Sequence, residues 1–335
     1  MITKKRYIMR NQKIFETPIL LIAWKRPDKT KKIIESIKQV KPKYFYVACD
    51  GKTQNNKILN NQVNLTRELI LENITWNCEL KTLFCEYNQG CKNAVSNAIS
   101  WFFDNVDRGI IIEDDCLPHQ DFFYFCSELL KRYENDMRIW SIAGNNLHRK
   151  NSTKEESYFF SKYSHCWGWA TWKRCWSKYD KDIADWPSYK SKGILNKIFE
   201  SRKEKIFWMK TLDNIYYYSR PNTWDYQWSY TCFINSGLTI IPNENLIYNI
   251  GFDDEATHTK FGNPNRSIKN YKRFSSKVFP LKHPQYIHRS INKDKYIDAI
   301  CYSGPYIFSR KWIVINFKKL LIKIKIILKK LYLIN

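Results

Sequence analysis

The sequence predicts an α/β fold in which helices flank a mostly parallel sheet. Over the first 115 residues, four short apolar runs alternate with segments that have apolar residues at helical spacing. The runs are continuous rather than alternating, a pattern typical of parallel strands buried on both faces. The chain has 335 residues, 44% of them hydrophobic and 16% aromatic, so it can bury a large core and is neither disordered nor fibrous.

The predicted elements follow one another in chain order. The strands of the first half are Ile19 to Trp24, Tyr44 to Cys49, Leu80 to Cys85 and Gly109 to Ile112. The first helix is expected to begin at Arg26-Pro27-Asp28, because proline suits the first helical position. Periodic apolar residues predict further helices over 94–102, 122–133, 203–219 and 224–235, and a strand over 139–143. The aromatic stretch from 158 to 176 predicts no regular element.

Polar residues follow each of the four strands at its carboxyl end. They are Arg26, Asp50, Asn88 and the triplet Glu113-Asp114-Asp115. Open parallel sheets bind ligands at the carboxyl ends of their strands. The predicted topology therefore places a binding site among these residues.

The carboxylate triplet is the sharpest local signal in the sequence. Three adjacent carboxylates repel one another, and at the end of a buried strand their charges need compensation. Mg²⁺ or Mn²⁺ supplies it by taking one or two carboxylates and completing its shell with diphosphate oxygens. The alternative is a solvated acidic turn.

A phosphate site is predicted where the third helix begins. Asn88 to Lys92 lie at a helix N-terminus, where backbone N–H groups and a lysine suit phosphate. The alternative is an Asn cap beside a solvated lysine. Arg26 and Asp50 also have ordinary alternative roles: Arg26 as part of a helix start and Asp50 as part of an Asp-Gly turn.

The second half of the chain offers a sugar contact and a base. Gly168 next to Trp169 would let a sugar approach the backbone while it stacks on an indole, although buried packing is the commoner role of tryptophan. Asp225 stands at a predicted helix start between Trp224 and Trp228, surroundings that suit a general base. The alternative for Asp225 is a helix N-cap.

Several motifs occur in a characteristic order over residues 17–265. They are Arg-Pro-Asp, Cys-Asp-Gly, Asn-x-Gly, Glu-Asp-Asp, Gly168-Trp169 and Trp224-Asp225. In this order the chain resembles inverting GT-A glycosyltransferases, in particular the N-acetylglucosaminyltransferase I group and its bacterial relatives. The resemblance implies a GT-A-like nucleotide-diphospho-sugar transferase fold with a sugar-nucleotide half before an acceptor half.

The resemblance also implies roles for the acidic residues. Asp115 is similar to the metal ligand of these enzymes, and His258 lies in the loop that supplies a further metal or diphosphate ligand in many of them. Glu113 and Asp114 would hydrogen-bond the ribose and the donor sugar. The eukaryotic relatives have no histidine that matches His258.

Further roles follow for the nucleotide and for the reaction. Arg26 and Asp50 match positions that hold the nucleotide, and Asp50 would pair with a uracil N–H. The implied activity is a metal-dependent inverting transfer, with Asp225 as base, from a UDP-sugar to a glycan or lipid-linked acceptor of surface polysaccharide synthesis. The alternatives are a metal-dependent nucleotidyltransferase, which shares the sheet and the carboxylates, and a basic nucleic-acid-binding protein.

Charge and cysteines set the remaining expectations. The net charge is +24, and the last thirty residues, 306–335, hold eight Lys or Arg and no acidic residue. Between Lys311 and Asn335 lysines and apolar residues occupy opposite sides of a helix, which predicts an interfacial tail on an anionic membrane; docking on the protein's own core is the alternative. Because this basic excess lies in an apolar-faced tail and the strand ends are acidic, nucleic acid is not the expected partner.

The expected organisation is one composite domain with a tail. Residues 1–150 form the nucleotide-sugar half, 151–305 the acceptor half and 306–335 the tail. Ten scattered cysteines without a CxxC pair indicate a reducing cytosol, and the polar N-terminus carries no signal for export. We therefore expect a cytoplasmic protein, peripheral on the inner face of the cell membrane.

Overall fold

A computed structural model describes residues 14–148, 156–251 and 278–304. The four strands predicted in the first half are present as β1 (Ile19–Ala23), β2 (Tyr44–Cys49), β3 (Glu79–Phe84) and β4 (Arg108–Glu113). They are parallel in the order β3-β2-β1-β4. The crossover helices are α1 (Pro27–Lys38), α2 (Lys57–Asn73) and α3 (Gly90–Asn105). The prediction of a parallel sheet with crossover helices is confirmed.

The strand register brings the predicted site residues to one edge of the sheet. Ile22 of β1 pairs with Glu113 of β4, and Ala23 pairs with Cys49 of β2. Cys49 in turn pairs with Phe84 of β3. Because the four strands end nearly level, the polar residues that follow them lie side by side.

The second half of the chain extends the sheet and covers it. Its strands are β5 (Cys116–Pro118), β6 (Ile139–Ala143), β7 (Tyr158–Ser161), β8 (Trp169–Trp172), β9 (Leu238–Pro242) and β10 (Ile247–Asn249). Its helices are α4 (Gln120–Arg132), α5 (Lys173–Trp176), α6 (Trp186–Ser191), α7 (Ile194–Ile198), α8 (Arg202–Tyr218), α9 (Asp225–Ile234) and α10 (Ile291–Cys301). The sheet has eight strands in the order β3-β2-β1-β4-β8-β6-β9-β7, and β5 pairs with β10 apart from it.

The expectation of irregular structure between residues 158 and 176 is wrong. This stretch holds β7, β8 and α5, and β8 lies antiparallel between β4 and β6. The sheet is therefore mixed rather than wholly parallel. The four residues of β8 are all buried, so the sequence lacks the polar and apolar alternation that marks a half-exposed strand.

A buried ionic group fastens α8 to β7. Lys162 Nζ lies 2.6 Å from Glu204 Oε1, with 7% and 3% of the two side chains exposed. The Tyr163 hydroxyl also donates to Glu204. Glu200, which is more exposed, lies 3.3 Å from Lys162 Nζ.

Glu204→Gln is expected to lower the free energy of unfolding by about 3 kcal/mol, because it leaves a buried ammonium without its main counter-charge. The control is Glu134→Gln, which breaks the solvent-accessible Arg108–Glu134 pair at 2.6 Å and is expected to cost less than about 1 kcal/mol. Urea unfolding of both variants checks the difference. Equal losses would mean that burial does not increase the contribution of the Lys162–Glu204 pair to the free energy of unfolding.

In the described part of the chain, no helix combines the length and the apolar character needed to cross a membrane. The predicted tail, 306–335, and His258 lie outside the described residues. Their predicted roles remain predictions.

Candidate functional site

The carboxylate triplet lies where β4 ends, beside the end of β1. The Arg26 guanidinium donates from Nη1 to Asp114 Oδ1 at 2.9 Å and to Asp115 Oδ2 at 3.0 Å. The backbone N–H of Trp24 donates to Asp114 Oδ2 at 3.2 Å. Burial raises the pKa of Asp114 to about 6, although the charge of Arg26 opposes the rise. Arg26 thus holds two of the three carboxylates in place.

Asp225 interacts electrostatically with Glu113 of the triplet. Burial, followed by the charges of Asp115, Asp114 and Asp225, raises the pKa of Glu113 well above its usual value. The pKa of a residue in the triplet thus depends on the charge of the first residue of α9, more than a hundred positions away in the sequence. In the described part of the chain, Arg26 is the cation that forms ion pairs with this group. The raised pKa values of Glu113 and Asp114 show that the four carboxyl groups lack full compensation from Arg26, so a bound cation would stabilise their ionised forms.

Thiols surround these carboxylates. The Cys116 thiol lies 3.4 Å from Asp115 Oδ1. Burial, with the neighbouring carboxylates acting in the same direction, raises the pKa of Cys91, Cys116 and Cys166. These cysteines are therefore protonated at neutral pH and do not serve as nucleophiles.

The charge of the group suits a divalent cation that a second ligand helps to hold. Among the described residues, no three His, Cys, Asp or Glu side chains are grouped so as to hold a metal ion by themselves. Mg²⁺ and Mn²⁺ do not require such a cage where substrate phosphates complete the coordination shell. The carboxyl groups clustered around Asp115 fit that mode of binding.

A loop packs directly on Asp115. The backbone N–H of Ile250 donates to the carbonyl of Asp115 at 2.7 Å. A Cβ atom at Gly251 would lie 2.3 Å from Asp115 Oδ2, which is too close for any side chain. Gly251 was given no role from the sequence, although its place two residues before Asp253-Asp254-Glu255 is a signal.

Gly251→Ala is expected to push the Asp115 carboxylate away and to weaken cation-dependent nucleotide binding about tenfold, which corresponds to a cost of about 1.4 kcal/mol. Titration calorimetry with UDP and Mn²⁺ measures the change. The control is Gly193→Ala, which strains a residue at φ 63° before α7 and should leave binding unchanged. Unaltered affinity in the Gly251 variant would show that Asp115 does not depend on this contact.

Asp50 ties together the loops that follow β2 and β3. Its Oδ1 accepts from the backbone N–H groups of Gly51 at 2.8 Å and Gln89 at 2.9 Å, and Asn88 Nδ2 donates to Oδ2 at 2.7 Å. Burial raises the pKa of Asp50, and the hydrogen bonds oppose the rise. Arg67, which our sequence analysis missed, donates to the Asp50 carbonyl at 3.1 Å. The structure therefore joins Asp50 and Asn88 in one hydrogen-bonded unit.

A cavity of about 230 Å³ lies beside Asp50. Its walls come from β1, β2, β3 and α3 and are mainly apolar, with Asp50, Gln89 and Asn97 as polar groups. The remaining lining residues are Ile22, Ala48, Cys49, Leu83, Cys85, Ala94 and Ala98. Apolar walls with a few polar groups are typical of small-molecule sites.

Lys92 connects the two halves of the molecule. Its Nζ lies 2.7 Å from Asp182 Oδ1, and its backbone N–H donates to Asn222 Oδ1 at 3.0 Å. Asn222 thus satisfies a backbone donor in the first turn of α3, where a phosphate site was predicted. This contact also holds the loop before Asp225 against the first half of the chain.

Trp169 lies in the core and offers no face to a sugar. Its indole is 1% exposed and stacks on Trp224 with ring centroids 5.5 Å apart. Gly168 has φ +58°, and a Cβ there would lie 2.5 Å from Ile247 Cδ1. Glycine is thus required by the backbone and by packing, and the expected stacking of a sugar on Trp169 is wrong.

Asp225 directly follows Trp224 of this indole cluster in the sequence. It is the first residue of α9, and the helix cap is Trp224, so the alternative of Asp225 as the N-cap is wrong. The hydroxyl of Thr223 donates to Asp225 Oδ1. The indoles of Trp224 and Trp228, on either side of it in the sequence, are buried. The hydroxyl of Thr223 therefore orients the carboxylate of Asp225 at the start of α9.

No family model and no curated protein sequence matches this chain. Among solved structures, the chain is similar to S. aureus TarS 1–349, with a TM-score of 0.42, 9% identity, and coverage of 71% of this chain and 61% of that one. It is similar to apo-UDP-glucose pyrophosphorylase, with a TM-score of 0.38, 10% identity, and coverage of 70% and 93%. It is also similar to a cytidylyltransferase from Leptospira borgpetersenii, with a TM-score of 0.32, 12% identity, and coverage of 61% and 72%.

Proposed function

We propose that this protein is a metal-dependent inverting glycosyltransferase whose donor is a nucleotide sugar. UDP-sugars are the donors to test first. The observation that carries the proposal is the carboxylate triplet at the end of β4, which Arg26 holds through Asp114 and Asp115, together with Asp225, whose charge helps to raise the pKa of Glu113. A triplet on its own serves any enzyme that binds a nucleotide with a cation. An additional carboxylate from the second half of the chain supplies the base that a glycosyl transfer requires.

The first half of the molecule would bind the donor. The cavity beside Asp50 suits a nucleobase, because its walls are mainly apolar and the Asp50 carboxylate that lines it is an acceptor for a base N–H. Glu113 and Asp114 would accept hydrogen bonds from the ribose and from the sugar. Arg26 keeps Asp114 and Asp115 turned toward the site.

Mn²⁺ or Mg²⁺ at Asp115, with His258 as a further proposed ligand, would neutralise charge on the leaving diphosphate. Asp225 takes the proton of the acceptor hydroxyl as its oxygen bonds to the anomeric carbon. The bond from that carbon to the diphosphate breaks, and a nucleoside diphosphate leaves. Attack from the opposite side of the ring inverts the anomeric configuration.

A calorimetric screen of nucleotide sugars with and without Mn²⁺ tests the donor class. Product analysis then separates the two enzyme classes, because a glycosyltransferase releases a nucleoside diphosphate and a nucleotidyltransferase releases pyrophosphate. The nucleotidyltransferase remains the second candidate, since the site at the ends of β1 to β4 serves either reaction. Release of pyrophosphate would replace the first proposal with the second.

The proposed acceptor is a glycan or a lipid-linked oligosaccharide at the inner face of the cell membrane. We propose that the tail contributes to membrane contact, because each lysine near an anionic surface adds about 1 kcal/mol. Removing residues 311–335 is expected to weaken binding to anionic vesicles and to spare turnover of a soluble acceptor. Co-sedimentation with vesicles measures the first effect. Aggregation of the shortened chain would instead identify the tail as part of the core.

A further inference from the structure

Helix α8 exposes five large apolar or aromatic side chains. They are Ile206, Met209, Tyr216, Tyr217 and Tyr218, with 37 to 68% of each exposed. The opposite side of the helix is buried through Glu204, Trp208, Leu212 and Ile215. Ile206, Met209 and Tyr217 lie on the side of α8 opposite these buried residues, which we call its outer face. Asp213 lies between them and contacts Trp186 and Lys190 of α6.

Cations surround this outer face. Exposed basic residues on α8 and on the neighbouring turns are Lys192, Lys197, Arg202, Lys210 and Arg220. The acidic residues of the same region have partners elsewhere: Glu200 and Glu204 pair with Lys162, and Asp213 pairs with Lys190 at 2.7 Å. The surface around the apolar side chains is therefore positively charged.

We propose that the outer face of α8, with the following loop 219–222, rests on an anionic lipid surface. Ile206 and Met209 offer aliphatic groups that enter the boundary between headgroups and acyl chains. Tyrosines suit that boundary because their rings are apolar and their hydroxyls are polar. The surrounding cations are attracted to anionic headgroups.

Two other occupants fit less well. Segment 306–335 carries eight basic residues and no acidic one, so a positive surface repels it. Single-stranded nucleic acid matches the tyrosines and the charge, but the aliphatic side chains of Ile206 and Met209 present no ring on which a base would stack. The combination of aliphatic groups, tyrosines and cations favours lipid.

The position of α8 gives this contact a consequence for the site. The loop after α8 contains Asn222, which is bonded to the backbone of Lys92, and α9 begins soon afterwards with Asp225. Membrane contact at α8 would therefore be linked to the base through the short loop 219–222. That consequence depends on the proposed function, whereas the lipid contact itself does not.

The test is co-sedimentation of the full chain with vesicles of phosphatidylcholine, with or without phosphatidylglycerol, in the absence of any nucleotide. The test variant is Ile206→Glu with Met209→Glu. The control variant is Ile58→Glu with Leu65→Glu, which makes the same change of charge at exposed positions of α2. We expect the test variant to bind anionic vesicles about tenfold more weakly than the parent, and the control to bind within about twofold of it.

The tail is intact in all three proteins, so a test variant that binds like the parent would overturn the proposal. Equal weakening in the control would also overturn it, because the effect would then be one of net charge. Loss of oligonucleotide binding with unchanged vesicle binding would identify a nucleic-acid surface instead. If the double variant fails to fold, Tyr217→Asp repeats the test at a more exposed position. Because no nucleotide is present, the result is independent of donor, cation and reaction.

Discussion

Asp225→Asn is expected to keep the affinity for nucleotide sugar and cation and to lower glycosyl transfer by about 10²-fold or more. The amide preserves the size of the side chain and its contact with the Thr223 hydroxyl, but it cannot take the proton of the acceptor. The indoles of Trp224 and Trp228 remain packed, so the fold should not change. Loss of turnover with retained binding is the expected signature of a missing base.

Two measurements on the same preparation check this result: donor affinity by calorimetry and release of nucleoside diphosphate. The control is Asp213→Asn, the same chemical change in an ion pair with Lys190 away from the carboxylate group. It should leave both quantities unchanged. Near-normal turnover of the Asp225 variant would move the role of base to Asp253 or Asp254, which lie outside the described residues.

Asp115→Ala is expected to abolish the part of nucleotide affinity that depends on Mn²⁺ or Mg²⁺. The residue follows the end of β4 and fills no core position, and Asp114 would keep its bond to Arg26. The unfolding midpoint should therefore change little. Binding that still responds to the cation would contradict the assignment of the metal to Asp115.

The comparison for this variant is Asp104→Ala, which removes an exposed carboxylate near the end of α3. Titration of each protein with UDP, with and without Mn²⁺, separates the metal-dependent part from the rest. The control should match the parent under both conditions. A similar loss in both variants would indicate a general effect of negative charge rather than a ligand at Asp115.

The first half of the fold was predictable because its signals are local. Four apolar runs, each followed by a turn and a helix, correspond to β1 to β4 with ends shifted by one residue at most. A strand buried on both faces must be apolar throughout, so burial appears directly in the sequence. The same local logic placed Arg26, Asp50, Asn88 and the triplet at one edge of the sheet.

Other features depend on contacts between distant segments. The sequence of β8 did not indicate that it would lie antiparallel between β4 and β6, since a short buried strand has no distinctive period. The burial of Trp169 depends on two tryptophans contributed by α9. The sequence does not distinguish a tryptophan that packs in a core from one that binds a sugar. Only its neighbours in the folded protein decide which role it has.

The amino-acid sequence by itself determined the parallel half of the sheet and the chemistry at its edge. Only the tertiary structure decided that Arg26 bridges Asp114 and Asp115 and that Gly251 lies against Asp115. It also decided that the charge of Asp225 helps to raise the pKa of Glu113. It also decided which side of α8 faces outward. Periodicity within a segment reports how that segment is buried, whereas a site is made of distances between segments that the chain brings together only when it folds.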